Sequence, residues 1–248
     1  MSNQGQGGAF APEDVDFEAF YQGKPPVEGL GTGFDVAPWD IGGPQPAVVE
    51  LERRGGFRGD VLDVGCGLAG NAVFLAERGY RVVGVDAAPT ALRRARERAE
   101  ARGVHVEFVP ADATELAGFE QRFDTVLDSA LYHCLGDEDR TRYAAALHRV
   151  TRPGAHLHLF AFSDTEPGGM RMPISVSQDD LRAHLGEHWD IRSIEHTDYT
   201  IAFTRESLAR RDPNSFEGVG IEIDLGALRT DERGRVLSAV WHLHAVRR

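Results

Sequence analysis

The sequence contains little cysteine and almost no lysine. Its 248 residues include two cysteines, Cys66 and Cys134, which are too few for a disulfide framework and lack a metal-type spacing. We therefore expect a protein of the reducing cytoplasm. Lys24 is the only lysine and the formal net charge is -12, whereas a duplex-binding protein needs clustered cations to neutralise phosphates. The sequence thus disfavours a nucleic-acid substrate and is compatible with a neutral or cationic small molecule.

Long apolar runs are also missing. No stretch approaches the roughly 18 consecutive apolar residues that a membrane helix needs, and residues 1–12 lack the basic and apolar regions of a signal peptide. We therefore expect no association with a membrane. A chain of this length is typical of one α/β unit with a full core, and we expect a monomer or a homodimer.

Residues 1–45 differ from the rest because they are rich in glycine and proline yet carry several large rings. These rings are too many for a plain linker: Phe17, Phe20, Tyr21, Phe34 and Trp39. We expect this segment to form a lid over a second region, residues 46–248. Ordinary filling of the core is the alternative explanation for the rings.

Helix and strand patterns alternate from residue 46 onward. The sequence predicts helices over residues 46–54, 72–78, 91–102 and 137–150, and strands over residues 61–64, 81–86, 105–109, 123–128 and 156–162. This alternation favours a doubly wound parallel sheet with helices on both faces. Ligands of such folds bind beyond the carboxyl ends of the strands.

The tail of the chain has a different pattern. Ser177 and Asp180 predict a capping box at a helix that begins near residue 178. Strand-like runs follow at residues 191–203, 220–225 and 237–246, and we expect them at the far edge of the same sheet. Residues 205–236 contain a polar insertion within this edge.

The strongest local signal is the segment Val61-Leu-Asp-Val-Gly-Cys-Gly-Leu-Ala-Gly70. Here an apolar strand leads into a turn that contains Gly65, Gly67 and Gly70, and a helix follows. Glycines permit a sharp turn and let a ligand approach the backbone where a Cβ would clash. The free N–H groups at the helix start favour a polar or anionic ligand group. The same spacing also suits dinucleotide enzymes or a plain strand-turn-helix corner.

Three carboxylates belong to neighbouring strands. Asp86 ends the second strand about 20 residues after the first glycine, where nucleotide folds place an acid on the ribose hydroxyls. A helix-capping role is disfavoured because two alanines separate it from Pro89. Asp112 follows the third strand, where it can accept from the amine of an adenine. Asp63 can hold the amino end of a ligand, and an NAD enzyme has no need of an acid at that position.

These residues resemble the class I S-adenosylmethionine-dependent methyltransferases over residues 45–160. The resemblance also includes Phe123-Asp-Thr-Val-Leu-Asp-Ser-Ala-Leu-Tyr-His-Cys-Leu135 and Arg152-Pro-Gly-Ala155, in which Ala155 replaces the usual second glycine. It implies a Rossmann-like, seven-stranded, mostly parallel sheet with an antiparallel last strand. It further implies S-adenosylmethionine as cofactor and S-adenosylhomocysteine as product.

The resemblance also implies the cofactor contacts. Asp86 would bind the ribose, Asp112 would lie near the adenine, and the first two glycines would lie against the methionine part. The full set of candidates is Asp63, Gly65, Cys66, Gly67, Gly70, Asp86, Ala87, Asp112, Ala113, Ser129 and Trp39. The segment Ala37-Pro-Trp-Asp-Ile-Gly-Gly-Pro-Gln-Pro46 resembles the thiopurine and thiol methyltransferase branch, whose wider group methylates sulfur, nitrogen, oxygen and halide.

The residues after the fourth strand are expected where the methyl group emerges. The catalytic candidates are Ser129, Tyr132 and His133, with Tyr21 from the lid. The histidine is either a general base or a packing residue, and only a hydroxyl or a protonated amine needs a base. We expect Asp128 to be buried at the strand end and Cys66 to be a loop residue, not a nucleophile.

Two His-x-His pairs occur, His156/His158 and His242/His244, and each pair falls on one face of a strand. In the strand order of the resembled family these two strands are neighbours, so four imidazoles can cluster. We expect hydrogen-bonded sheet histidines and no metal, with a zinc or copper site as the alternative.

Together these features predict transfer of a methyl group to a sulfur, nitrogen or oxygen atom of a small molecule. The enzyme would hold the reacting atoms in line under an aromatic lid that excludes water. Two alternatives stay open at this point: an NAD(P)-dependent oxidoreductase on a Rossmann fold, and a non-catalytic module that binds S-adenosylmethionine.

Overall fold

The computed structural model describes residues 15–26, 37–165, 168–210 and 221–248. Phe34 and the first residue of the predicted strand 220–225 lie outside these described residues. The described helices are α1 (Phe17–Tyr21), α2 (Pro46–Arg53), α3 (Gly70–Glu77), α4 (Pro89–Ala101), α5 (Asp137–Val150), α6 (Gln178–Leu185) and α7 (Arg205–Ala209). The described strands are β1 (Asp60–Val64), β2 (Arg81–Asp86), β3 (Glu107–Pro110), β4 (Phe123–Ser129), β5 (Thr151–Phe162), β6 (Met170–Arg171), β7 (Trp189–Thr204), β8 (Glu222–Ile223), β9 (Arg229–Thr230) and β10 (Arg235–Arg247).

The main sheet has the strand order β3-β2-β1-β4-β5-β10-β7, and the short β9 pairs with β10 beside this path. Along this order, each neighbouring pair from β3 through β2, β1 and β4 to β5 is parallel. In contrast, β10 is antiparallel to both β5 and β7. This confirms the predicted mostly parallel sheet with an antiparallel last strand. The chain order reverses between β1 and β4, and a crevice for a ligand is expected at that reversal.

Helices cover both faces of the sheet. Leu62 and Val64 of β1 pack with α5 and α6 on one face, and Val61 packs with α2, α3 and α4 on the other. Successive strand residues point to opposite faces, so the buried part of a strand that is covered on both sides is apolar except where it faces a site. In β1 the buried polar residue is Asp63.

The tail differs from the prediction at β8. This strand does not extend the main sheet but pairs with β6 in a separate two-stranded sheet. At the far edge of the main sheet, β10 is paired with β5, β7 and β9. The small sheet instead covers the end of β7 through a buried apolar cluster of Met170, Ile201, Phe203, Leu208, Leu228 and Val236.

Local structure in the tail agrees with the prediction in part, because the helix predicted near residue 178 is present as α6. Ser177 caps α6 by accepting from the N–H of Asp180 at 3.0 Å. The capping box is not completed, because the Asp180 carboxylate accepts instead from the Tyr132 hydroxyl at 2.8 Å and from Arg140 at 2.6 Å. Part of the polar insertion predicted over residues 205–236 forms α7. Among the described residues, no helix combines the length and apolar character that crossing a bilayer requires.

Candidate active site

A cavity of about 240 Å³ opens at the carboxyl ends of the central strands, beneath α1 and Trp39. Its wall includes Gly65, Asp86, Ser129 and His133. A smaller cavity of about 40 Å³ shares part of this wall and extends to residues of the glycine loop; it is lined by Asp63, Gly65, Cys66, Gly67 and Gly70 among others. The two cavities together form a divided pocket at the predicted place.

The glycine loop is shaped by close contacts with neighbouring segments. Gly65 and Gly67 have φ angles of 69° and 51°, in the left-handed region that glycine tolerates best. A Cβ on Gly67 would lie 2.7 Å from the Tyr21 hydroxyl oxygen, and one on Gly70 would lie 2.4 Å from the carbonyl oxygen of Gly43. These glycines are therefore needed for the approach of the lid as well as for a ligand.

Asp86 connects the glycine loop to the start of α4. Its Oδ2 accepts from the N–H of Gly67 and its Oδ1 from the N–H of Ala88, both at 2.8 Å. Ala88 is the N-cap of α4, so its N–H precedes the first helical turn and this contact is not a helix cap. Burial raises the pKa of Asp86. Each oxygen keeps a second lone pair, and Asp86 and Ala87 line the cavity, so contacts with ribose hydroxyls remain open to it.

Asp112 lies at the rim of the cavity rather than in its wall. Its side chain is exposed, and its Oδ1 accepts from the N–H and the hydroxyl of Thr114, both at 2.7 Å. Its neighbours Ala111 and Ala113 are among the described residues of the cavity wall, and Asp112 is not. The predicted contact of Asp112 with an adenine amine stays a prediction.

Asp63 is the carboxylate that best fits a cationic ligand group. It is 1 % exposed, and the N–H of Ala72 donates to it. Its Oδ2 has no hydrogen-bond partner in the described part of the chain. Burial, with a smaller contribution from Asp128, raises the pKa of Asp63 to about 8. Since a buried carboxylate without a partner is costly, its place beside the small cavity suits an ammonium group.

The aromatic lid packs tightly on the glycine loop and α4. Phe20 and Tyr21 are buried against Leu68, Ala88 and Ala91. The same two rings also line the larger cavity. The lid and the core-filling explanations are therefore compatible for these residues.

Polar contacts also fasten the lid. Glu18 accepts from the N–H and the hydroxyl of Thr90 at 2.9 and 2.6 Å. Asp40 forms a half-buried, two-pronged ion pair with Arg98 at 3.0 Å. Trp39 donates from its indole nitrogen to the Tyr21 hydroxyl at 3.1 Å. The rings of Trp39 and Tyr21 are therefore held in fixed positions at the pocket entrance.

His133 lines the cavity in one fixed tautomer. Its Nδ1 accepts from the N–H of Phe162 at 3.2 Å, so the proton of the neutral ring is on Nε2. Burial lowers its pKa to about 3, and the ring stays neutral at physiological pH. Because the Nδ1 lone pair is occupied and Nε2 carries the proton, the ring can donate a hydrogen bond but is not arranged as a general base.

Tyr132 lies in the core, which corrects the expectation that it faces the acceptor. It is fully buried, its hydroxyl donates to Asp180, and Arg140 lies over its ring. The cause is the 3₁₀ turn Tyr132–Cys134, in which consecutive side chains point about 120° apart. This turn directs Tyr132 inward and leaves His133 in the cavity wall.

Asp128 and Ser129 end β4 with different roles. Asp128 is buried, as expected, and accepts from the N–H groups of Leu131 and Tyr132 at 2.8 and 3.1 Å and from the Tyr143 hydroxyl at 2.7 Å. It therefore holds the turn that carries His133. Ser129 lines both cavities and shares a 3.0 Å hydrogen bond with the Tyr199 hydroxyl.

Sequence patterns did not indicate the apolar half of the cavity wall. It comes from the tail and consists of Met170, Met172, Pro173, Ile174, Ile201, Phe203 and Ile221. One usable signal was the period-2 spacing of Tyr199, Ile201 and Phe203, which places all three on one face of β7. The packing of β6 and β8 against that face depends on long-range contacts.

Comparison with known proteins decides the family. Residues 61–154 match a protein family described as a methyltransferase domain. The 2-heptyl-1-hydroxyquinolin-4(1H)-one methyltransferase of Mycobacteroides abscessus is 39% identical over 180 residues, which cover 72% of this chain and 78% of that protein. The chain belongs to the S-adenosylmethionine-dependent methyltransferases. Its cofactor is S-adenosylmethionine, and it transfers the methyl group to a small-molecule nucleophile.

A solved structure supports the same assignment for this methyltransferase. It comes from work on the conversion of a disulfide bond into a thioacetal group during echinomycin biosynthesis. It is 34% identical, with a TM-score of 0.73, and the match covers 93% of this chain and 90% of that one. The oxidoreductase and the non-catalytic module are therefore not favoured.

The thiol branch has weaker support. The probable thiol methyltransferase 2 of Arabidopsis thaliana is 28% identical over 147 residues, which cover 58% of this chain and 65% of that protein. The methyltransferase from Mycobacteroides abscessus is more similar over a longer stretch. The family resemblance is confirmed, and the likeness to the thiol branch is loose.

Proposed function

We propose that this methyltransferase acts on a largely apolar molecule whose nucleophilic atom carries no proton when it meets the methyl group. The main support is the cavity wall, in which apolar side chains surround a histidine that is fixed as a hydrogen-bond donor. We further propose that the protein works in the cytoplasm, in keeping with its two free cysteines. Residues 1–45 would act as the lid of a catalytic domain, residues 46–248.

Different described residues fit different parts of the cofactor. We assign Asp63 to the ammonium group, because its buried Oδ2 lacks a partner among the described residues. Gly65 and Gly67 would border the methionine chain, and Asp86 would accept from the ribose hydroxyls. Ala111 and Ala113 would border the adenine. When bound, S-adenosylmethionine supplies a methyl group activated by a positively charged sulfur.

The protein's own contribution is to position the reactants and to exclude water. The lid rings Phe20, Tyr21 and Trp39 close one side of the cavity. Holding two reactants in line can lower a barrier by about 7–11 kcal/mol. Aromatic faces can also stabilise a nearby cation, and a dry site does not oppose loss of that charge during transfer.

The described histidine, cysteine and tyrosine side chains around the larger cavity do not supply a base near neutral pH. The pKa of His133 is lowered by burial to about 3, and burial raises the pKa of Cys134 to about 12. Burial also raises the pKa values of the Tyr21 and Tyr199 hydroxyls. We assign the two carboxylates of the pocket, Asp63 and Asp86, to the ammonium group and the ribose hydroxyls of the cofactor, so neither is left for the acceptor. The acceptor atom is therefore best supplied as a thiolate, an acidic hydroxyl in its ionised form, or a neutral ring nitrogen.

The relative from Mycobacteroides abscessus takes, by its name, a quinolone that carries a hydroxyl group and a heptyl chain. A flat heterocycle of this kind suits the space between the lid rings and His133. An alkyl substituent suits the apolar wall formed by Met170, Met172 and Ile174. We propose an acceptor of this class, methylated on oxygen or nitrogen, with aromatic thiols as the sulfur counterpart.

Transfer from labelled cofactor to a series of 1-hydroxyquinolin-4-ones tests this proposal. Their 2-alkyl chains should increase kcat/KM by up to about fourfold per methylene until the cavity is full, since each buried methylene contributes about 0.8 kcal/mol. In a parallel series of thiols and phenols, the pH midpoint should follow the pKa of each acceptor. At saturating S-adenosylmethionine, where cofactor affinity no longer affects the rate, a single midpoint common to all acceptors would show that an enzyme group serves as base and would overturn the proposal.

A further inference from the structure

Four histidines outside the cofactor cavity cluster on one face of the sheet, as the sequence predicts. His156 and His158 come from β5, and His242 and His244 from β10. His158 and His244 are directly opposite in the antiparallel register. Their rings stack with centroids 4.7 Å apart, and the ring of His156 lies 5.0 Å from that of His244.

Hydrogen bonds fix the tautomer of the central ring. Nε2 of His158 lies 3.0 Å from the carbonyl oxygen of Gly56, which can only accept, so this nitrogen carries the proton. A ring that donates one N–H to a backbone carbonyl is in the arrangement usual for metal-ligating histidines. The lone pair on Nδ1 of His158 currently accepts from Nε2 of His242 at 3.2 Å.

His244 supplies the second observation. Its Nε2 is buried and lacks a hydrogen-bond partner within residues 15–26, 37–165, 168–210 and 221–248. One ring nitrogen from each of His156, His158 and His244 lies within 4.8 Å of the others. Two histidines spaced i, i+2 on a strand and a third across the ladder thus converge. The third histidine is the one that carries an unpartnered buried nitrogen.

We propose that His156, His158 and His244 form a binding site for a divalent transition metal, with Zn²⁺ as the preferred ion. Three imidazoles with an open fourth position are a known zinc ligand set, and imidazole also suits nickel and copper. The ion would take the Nδ1 lone pair of His158 in place of the N–H of His242. It would also give His244 Nε2 the partner it lacks.

Two positive charges lie near the site, and both are engaged by other groups. The guanidinium groups of Arg58 and Arg192 are the positive charges that act on His156 and His244. Arg58 donates to the carbonyl oxygen of Gly154, and Arg192 pairs with Asp190 at 2.9 Å. The cluster does not share its residues with the described wall of the cofactor cavity. The ion would therefore fasten β5 to β10 without taking part in methyl transfer.

Titration of chelator-treated protein with Co²⁺ and Zn²⁺ tests the site. We expect one Co²⁺ per chain with visible d–d absorption, displacement by Zn²⁺, and a higher Tm in the presence of Zn²⁺. His156→Ala and His244→Ala should each weaken binding by at least about 100-fold. These two residues are chosen because they are only partly buried, whereas His158 supports the fold through Gly56.

The matched control is His105→Ala, an exposed histidine outside the cluster, which should bind metal as the unchanged chain does. Binding of S-adenosylhomocysteine, measured by calorimetry in all variants, reports correct folding independently of the metal. Equal metal affinity in His244→Ala and the unchanged chain would overturn the proposal. So would a Tm that Zn²⁺ does not raise, whatever the methyl-transfer activity.

Discussion

Asp63 illustrates how a single residue sets the pH dependence of cofactor binding. Its pKa is raised to about 8 by burial, while an ammonium group needs the ionised form. Below pH 8, binding must therefore release a proton, and S-adenosylhomocysteine affinity should rise by up to about tenfold per pH unit from pH 6 to 8. Calorimetry in buffers of different ionisation heat measures both the affinity and the released proton.

Asp63→Asn should weaken this affinity and remove its rise with pH, because the amide cannot ionise. Asp179→Asn is the control, since Asp179 is a fully solvated acid on α6. A variant Asp63→Asn that keeps the slope between pH 6 and 8 would show that another group titrates on binding.

His133 is predicted to orient the acceptor through its N–H. Glutamine can accept from Phe162 N–H and donate into the cavity as well, whereas phenylalanine can do neither. His133→Gln should keep kcat/KM within about tenfold, and His133→Phe should lower it by about 10- to 100-fold for an anionic acceptor. Cofactor affinity and the shape of the pH profile should be unchanged in both. Loss of one limb of that profile in His133→Gln would instead identify His133 as a base.

For single residues, the sequence predicted the position in a strand or turn better than the direction in which the side chain points. Asp63 and Asp86 could be placed because each occupies a defined position in or at the end of a strand that leads to the site. The inward direction of Tyr132 depends on the phase of a 3₁₀ turn, and the rim position of Asp112 on its bonds to Thr114. Neither leaves a periodic signature in the sequence.

At the scale of elements, α1 should act as a fastened lid. Glu18→Ala removes both of its hydrogen bonds to Thr90, a loss we expect to speed dissociation of S-adenosylhomocysteine by about fivefold. Stopped-flow displacement measures this rate. Glu97→Ala on α4 is the matched control, because the pair that Glu97 forms with Arg93 is exposed. Equal rates in the two variants would mean that α1 does not gate the cofactor.

The two-stranded β6–β8 sheet should set the length of acceptor that the cavity accepts. Met172→Trp places a bulkier ring in the apolar wall, so kcat/KM for the longest alkyl acceptor should fall at least about tenfold. The kcat/KM for acceptors without an alkyl chain and the affinity for the cofactor should be unchanged. Leu225→Trp alters an exposed residue beside β8 and should leave the chain-length profile unchanged. A uniform loss for all acceptors would count against this role.

Strand and helix alternation predicted the main sheet because buried parallel strands are short apolar runs separated by helical periods. The placement of β8 could not be predicted in the same way. A strand-like pattern reports that a segment is extended and half-buried, but not which ladder has an unoccupied edge. In this fold β10 is occupied on both sides, and that property belongs to the assembled sheet.

For the whole molecule, the free protein should lose stability as the pH rises from 7 to 8. The folded state holds a proton on Asp63 that the unfolded chain, with a carboxyl pKa near 3.9, does not. The raised pKa of this carboxyl group therefore contributes stability at low pH, and this contribution is lost as the pH rises towards the folded pKa of about 8. The expected loss is about 1 kcal/mol between pH 7 and 8.

Urea unfolding at both pH values measures this loss. Histidines with a lowered pKa, such as His133 and His158, act in the opposite sense at lower pH, because the unfolded chain protonates near pH 6.5. Between pH 7 and 8 Asp63 is expected to contribute most of the loss, because the raised pKa values of the two cysteines reduce stability mainly above pH 8. Asp63→Asn should remove the slope, and a slope that persists in this variant would assign it to other groups.

The close approach of the lid to the glycine loop limits how this enzyme can be re-engineered. The backbone at Gly43 and the hydroxyl of Tyr21 occupy the space that side chains at Gly70 and Gly67 would need. Grafting the N-terminal segment of a relative onto this chain therefore requires that relative's loop as well. The two segments form one transplantable module, although about twenty residues or more of unrelated sequence separate them.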